Sequence, residues 1–292
     1  MRVITRRDYS MVVVVSIVIA AYFWSDIRNN LDTHSTDPVD LAQENPLVHF
    51  PNNSLELRNL TWLELRDRLR SGYTRVIVPT GGIEQNGPFV VLGKHDLIVE
   101  AVSLKLAADL GKTLVAPTIS FVPQGNISPP SMHMRYPGTI SLSENKFQGL
   151  LEDITMSLAA GGFQEIIILG DSGPSQHTMD KAAHLLDRTS QVRGARVIFV
   201  PEFYNYDAMR QLLLERGIQE APENFHEELA FSLQLLAIDP TALRLDERIN
   251  AGHPMLGGVD LRDREKLTQV GQDIISRRVA EASAAIRAKL SK

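Results

Sequence analysis

Glu165-Ile166-Ile167-Ile168-Leu169-Gly170-Asp171-Ser172-Gly173 decides the fold of this 292-residue chain. Four apolar residues in succession leave no polar face, so the strand they form is covered on both sides. The turn that follows puts Asp171 at the strand's C-terminal end, where ligand groups of open α/β sheets sit. Outward from this strand, short apolar runs alternate with helical patterns. Arg75–Thr80 and Thr113–Ile119 read as strands before it, and Ala195–Val200 as one after it. Asp96–Leu110 reads as a helix with Ile98, Val102 and Leu106 on one face and Gly111 at its exit. Thr61 and Glu64 form a capping-box pattern that opens a helix to about Ser71. Ser141-Leu142-Ser143-Glu144 repeats that pattern before the stripe Phe147, Leu150, Leu151, Ile154 and Leu158, which stops at Gly161-Gly162. Further helices are expected over Gln176–Leu186 and over roughly Glu223–Ala237 and Lys266–Leu290. Alternation at these lengths predicts an α/β fold, a mostly parallel sheet with helices on both faces.

The second informative stretch is Thr80-Gly-Gly-Ile-Glu-Gln-Asn-Gly-Pro-Phe-Val-Val-Leu-Gly-Lys-His-Asp96. It follows a strand and carries Glu84, Asn86, His95 and Asp96 in a glycine-rich connection, a set of oxygen and nitrogen donors suited to a divalent ion. Asp171 emerges beside this loop if the two strands are neighbours. A third cluster, Phe225-His226-Glu227-Glu228, adds an imidazole and two carboxylates. Glu227 and Glu228 are adjacent, so at most one of them enters a pocket. Between the clusters, Ser131–Thr139 offers His133 to a substrate polar group and Arg135 to a substrate carboxylate or a neighbouring subunit. Simpler roles exist for each: Asp171 can cap the following helix, His95 can be a surface or supporting residue, and Pro137-Gly138 is a rigid turn. Thr80-Gly81-Gly82 lacks the dinucleotide fingerprint, and Gly170–Gly173 lacks the lysine of a phosphate loop.

A formal net charge of -5 offers no nucleic-acid footprint, which favours a small-molecule substrate. Without cysteine there is no disulfide, thiolate ligand or thiol nucleophile. Arg2, Arg6 and Arg7 precede the apolar Met11–Trp24, so residues 1–30 read as a signal peptide or an N-terminal membrane anchor. The run is short for a transmembrane helix, and a buried first strand or helix is the other reading. Residues 31–56, polar and punctuated by Pro38, Pro46 and Pro51, read as a linker before a domain over 57–292. The expected location is periplasmic or extracellular.

The Gly-x-Glu-Gln-x-Gly-Pro loop, the His133-x-x-Tyr136-Pro137-Gly138-Thr139 segment and the Gly170-Asp171-Ser172-Gly173 turn together resemble the creatininase family of creatinine amidohydrolase-like proteins. The resemblance runs from about Trp62 to the C-terminus and is strongest over Val76–Gln176. It implies a three-layer α/β/α sandwich, assembly as a homo-oligomer, often a hexamer, and hydrolysis of cyclic or linear amides with divalent metals. Position by position, it implies that Glu84 and Asp96 are metal ligands, with Asp96 bridging. Asn86 and Asp171 fall where the family has histidines, Phe89 replaces another, and Gly173 falls at a glutamate. Glu228 matches a glutamate of the family, with His226 displaced by one. The implied site holds one or two ions of Mn, Fe, Zn or Mg on Glu84, Asp96, Asp171 and Asn86. Glu228 or His226 would move protons to the leaving nitrogen, and His133 would position substrate or steady the oxyanion. The implied reaction is hydrolysis of a C–N bond in a small non-peptide amide or lactam; the alternative is a catalytically silent ligand-binding member.

Overall fold

Strand Ile166–Leu169 lies inside a four-stranded parallel sheet, with a second polypeptide layer against each face. The computed structural model describes residues 43–190, 194–222 and 226–291. Strands β1 (Arg75–Thr80), β2 (Thr113–Val115), β3 (Glu165–Gly170) and β4 (Arg196–Phe199) are ordered β2-β1-β3-β4. In register, Val76 pairs with Ile166 and Thr80 with Gly170, so β1 and β3 end side by side. The chain leaves β1 toward β2 in one direction and returns past β1 to β3 in the other. The reversal opens a crevice at the C-terminal ends of β1 and β3, the place where such sheets bind ligands.

Alternation along the strands builds two cores. Ile77, Ile167 and Leu169 pack with helices α2 (Lys94–Leu110), α5 (Tyr206–Glu215), α6 (Leu229–Ile238) and α8 (Arg264–Leu290). Val76, Val78, Leu114, Ile166 and Ile168 pack with α1 (Trp62–Arg70), α3 (Glu144–Ala160) and α4 (Gln176–Ser190) on the opposite face. The result is the expected α/β/α sandwich. Each fully buried branched side chain of these strands contributes roughly 1.5–3 kcal/mol from area removed from water. A short helix α7 (Leu245–Asn250) and a hairpin of β5 (Met255–Leu256) and β6 (Val259–Asp260) complete the domain.

Helix α6 is buried on every face from Leu229 to Leu236, which is why it shows no amphipathic stripe. Its polar residues all find partners: Ser232 Oγ donates to Glu227 O at 2.7 Å, Gln234 Nε2 donates to Ala230 O at 3.1 Å, and Gln234 Oε1 accepts from Arg278 Nη1 at 2.7 Å. Helix α8 lies so close that a Cβ at Gly271 would stand 2.0 Å from Leu233 O. Only glycine allows that approach.

Several local expectations change. The Thr61 capping box forms, with Glu64 N–H donating to Thr61 Oγ1 and Thr61 N–H to Glu64 Oε2. The one expected at Ser141 does not: Ser141 Oγ accepts from Gln124 N–H and donates to Gly125 O, and Ser143 caps α3 without a side-chain bond. β2 stops at Val115, and beyond Pro117, which has no N–H to give, only Ile119 bridges Thr80. The expected helix over Glu223–Ala237 starts only at Leu229, because His226 (φ 62°) and Glu228 (φ 52°) adopt left-handed backbone. Residues 223–225 lie outside the described residues.

The chain divides at His49–Phe50. In the first part, of the described residues 43–49, Pro46–His49 form a turn in which Val48 N–H donates to Asn45 O at 3.2 Å. In the second, residues reaching back to Leu55 join the sheet edge, where Val115 N–H donates to Leu55 O at 2.8 Å. The expectation of a transmembrane segment is corrected: among the described residues no helix is long and apolar enough to cross a membrane. The signal or anchor reading of residues 1–30 falls outside the described residues.

Candidate metal centre

The loop after β1 folds back across the strand ends, and this turns Glu84 inward. Glu84 N–H donates to Leu92 O at 3.0 Å, while Asn86 Nδ2 donates to Glu84 O at 2.9 Å and Val91 O at 3.2 Å. Gly87, at φ +75°, lets the loop pass Glu227, whose side chain would stand 2.4 Å from any Cβ there. At the neighbouring strand end, Asp171 N–H donates to Thr80 O at 3.0 Å, locking β1 and β3 together where the site begins. A 3₁₀ turn over Met132–Arg135 brings His133 in from a third side, and the left-handed His226 comes from the residues before α6.

Glu84, His133 and His226 converge, with one ligand atom of each lying within 4.8 Å of the others. Glu84 Oε2 is 3.8 Å from His133 Nε2, and Oε1 is 3.7 Å from His226 Nδ1. These separations are too long for hydrogen bonds. Two ligands held at about 2.1 Å in a tetrahedral shell stand roughly 3.4 Å apart, so the group is spaced for an ion. Glu84 Oε2 and His226 Nδ1 are buried without a hydrogen-bond partner, as ligand atoms awaiting a cation are. One carboxylate and two imidazoles therefore fit a divalent metal.

The profile of the creatininase family, described as creatinine amidohydrolase, matches residues 58–282. This chain belongs to the creatininase family. A creatinine amidohydrolase of Pseudomonas putida is 26% identical over 118 residues, covering 40% of this chain and 45% of that relative, less than half its length. Among solved structures, a creatinine amidohydrolase (creatininase) matches with TM-score 0.62 at 19% identity, covering 82% of this chain and 98% of the other. A structure described as creatininase Mn matches with TM-score 0.61 at 21% identity over 81% and 98%. A mutant creatininase complexed with creatine matches with TM-score 0.60 at 21% identity over 81% and 98%. At these identities the structural likeness establishes the shared fold.

Within this creatininase fold, the expected site residues part company. Glu84 stands at the centre, and His133 and His226, expected to serve substrate and protons, stand with it as ligand-type groups. Asp96 is not among the converging ligand atoms; its Oδ1 accepts from Gly82 N–H at 2.8 Å, so it braces the loop. His95, its neighbour, points inward instead, with Nε2 2.9 Å from Glu84 Oε1 and Nδ1 3.0 Å from Asp171 Oδ2. Asp171 does not join the ligand group. Its other oxygen is hydrogen-bonded to Arg278. Asn86 spends its amide nitrogen on loop carbonyls, leaving its buried Oδ1 without a partner. Glu228 lies beside His226, 3.7 Å from its Nε2, and is held by Lys94 Nζ at 3.0 Å. Lys94 also donates to His226 O at 3.3 Å, so one buried ammonium clamps both left-handed residues.

Electrostatics follow from this packing. Burial pushes the Glu84 carboxyl up, but the hydrogen bond from His95 and the His95, His133 and His226 imidazoles outweigh it, bringing it down to about 2. Burial and the adjacent Lys94 ammonium lower His95, yet its bonds to Asp171 and Glu84 prevail and raise it to about 9. For His226, burial and Lys94 win over the nearby carboxylates and hold it below its ordinary value, in the neutral form that ligates a metal. Burial raises Asp96 despite bonds from Ser120 and Gly82. Burial, then Glu228 and Asp171, drive the Tyr204 hydroxyl well up, so it stays protonated as a donor beside the site.

Sequence reading missed Lys94 and Arg278, and each left a trace. A lysine in the first turn of a helix opposes the macrodipole and needs a reason. Arg278 sits four residues from both Ile274 and Ala282, on the apolar stripe of the last helix, where an unpaired charge has no place.

Proposed function

We propose that this chain hydrolyses a C–N bond in a small non-peptide amide or lactam, using a divalent ion held by Glu84, His133 and His226. The observation that carries the reading is the convergence of one buried carboxylate and two imidazoles at the C-terminal ends of β1 and β3, with orphaned ligand atoms. A bound divalent ion polarises a carbonyl and acidifies water. Two imidazoles beside one carboxylate favour zinc, iron or manganese over magnesium, a softer set than four oxygen donors. The chain supplies the rest. Glu228, partly open to solvent and oriented by Lys94, takes a proton from the water that adds to the carbonyl carbon. It returns that proton to nitrogen as the C–N bond breaks. Tyr204, kept protonated by its buried setting, is a hydroxyl close enough to Glu228 and Asp171 to feel their charge. Assembly as a homo-oligomer belongs to the same proposal, tested by sedimentation. Export on the basic and apolar N-terminal segment is tested by a reporter fused after Asn30.

A second reading has one specific observation in its favour. Asp171 and His95 are satisfied by Arg278 and Glu84 within the chain, so part of the buried charge is balanced without a metal. A silent ligand-binding protein could be built this way. Elemental analysis of the purified protein beside the Glu84→Gln variant, followed by a screen of lactams and cyclic amides, separates the two. Stoichiometric metal lost in the variant, with ring opening of any member, supports hydrolysis. Metal-free protein that refuses added Zn or Mn and leaves every amide intact supports the silent reading.

A further inference from the structure

Two fully buried carboxylates, Glu84 and Asp171, face the crevice between β1 and β3, and each needs positive charge to be tolerated there. They are answered differently. Both oxygens of Asp171 are engaged, Oδ2 by His95 Nδ1 at 3.0 Å and Oδ1 by Arg278 Nη2. Arg278 is itself fixed from every side. Its Nε donates to Phe203 O at 3.0 Å, its Nη1 to Gln234 Oε1 at 2.7 Å, and its guanidinium lies 4.3 Å over the Phe203 ring. His95 spans the two carboxylates with both ring nitrogens, which closes it as a ligand. Glu84 keeps Oε2 free on the side of His133. The crevice thus has one half open to a cation and one half already filled by charges of the chain.

We propose that this centre takes a single divalent ion per chain, and that Arg278 is a positioning residue whose guanidinium, fixed on Asp171, occupies the place of a second ion and bars one from binding. The inference rests on the metal reading above and sharpens it. Arg278 acts through Asp171 and His95: it holds Asp171 on His95, and His95 in turn holds Glu84 Oε1, leaving Oε2 turned to His133. The full guanidinium fork is required, because its three nitrogens bind three different elements.

The test is ion stoichiometry by equilibrium dialysis against Mn and Zn with elemental analysis, on the whole chain, with melting curves to certify folding. Wild type is expected to hold one ion per chain. Two ions would overturn the single-ion inference and leave the metal reading standing, whereas no ion would overturn both. Arg278→Met, if it folds, should rise from one ion to two as Asp171 is released; a folded variant that stays at one sinks the barring role. The double variant Asp171→Asn with Arg278→Met removes both charges together and covers the case in which the single variant fails to fold. It should still hold one ion per chain, more weakly than wild type because His95 and Glu84 Oε1 lose the hold that Asp171 and Arg278 supply. A folded double variant that takes up no ion at saturating Mn or Zn would place Asp171 in the ligand shell and refute the proposal, and one that binds with wild-type affinity would refute the positioning role.

Discussion

Glu84 is the residue on which the site turns. It accepts from His95, faces two further imidazoles and is almost wholly enclosed. Replacing it with Gln keeps the shape and removes the charge, so divalent-ion affinity should fall by at least about 100-fold, the upper range seen for the weaker case of outer-shell partners. Isothermal titration with Zn or Mn reads this directly; unchanged affinity would remove Glu84 from the centre. The same residue sets an acid limit. In metal-stripped protein its stabilising charge is fully present above 4.5 and is lost as pH falls through about 2. His95 sets the alkaline limit, its contribution complete below 6.5 and lost as pH rises through about 9. Melting temperature should therefore be highest between these limits, near pH 4.5–6.5, and fall on both sides. The coupled pair is worth on the order of 3 kcal/mol. A His95→Asn variant should flatten the alkaline arm, and a flat wild-type profile from pH 6 to 9 would count against the pairing.

At the scale of elements, two contacts carry the argument. Helices α6 and α8 meet through Gly271, where a Cβ would stand 2.0 Å from Leu233 O. Gly271→Ala forces the helices apart and should cost about 1–3 kcal/mol, despite alanine's better helix propensity. A melting temperature raised by that substitution would show that the approach is looser. Helix α1 offers a smaller test: Thr61→Ala removes a formed capping box and should cost about 1 kcal/mol, read by denaturant unfolding. The segment at Ser141 illustrates the converse. An identical pattern of residue types failed to cap because Ser141 found tertiary partners at Gln124 and Gly125, which a local pattern cannot anticipate.

The domain that follows His49 is tied at Arg278, where the last helix reaches the strand end at Asp171, helix α6 at Gln234 and the turn at Phe203. Breaking this buried pair from one side leaves a carboxylate uncompensated. Arg278→Ala should cost about 3–5 kcal/mol, lowering the melting temperature by about 6–20 °C for a domain of this size. Neutralising both partners together should cost less, and a double variant no more stable than the single one would contradict the pairing.

Residues 165–173 were enough to announce a strand buried on both faces, and the spacing of the surrounding runs announced the parallel sheet and its layers. These readings depend on periodicity along the chain, which local physics fixes. Glu84 was legible for a related reason, as a carboxylate in a glycine-rich connection leaving a strand. What the sequence could not assign was who meets whom across the crevice. Asp96 and His95 are neighbours, and only the angle at which α2 leaves its loop puts the imidazole on Glu84 and the carboxylate on Gly82 N–H. His133 and His226 lie 93 positions apart and become one ligand group through a turn and two left-handed residues held by Lys94. Asp171 carries the oxygens of a metal ligand, but a guanidinium delivered by the final helix decides its role. Charge neutralisation in a buried crevice is a long-range, three-dimensional condition, and it is settled by packing.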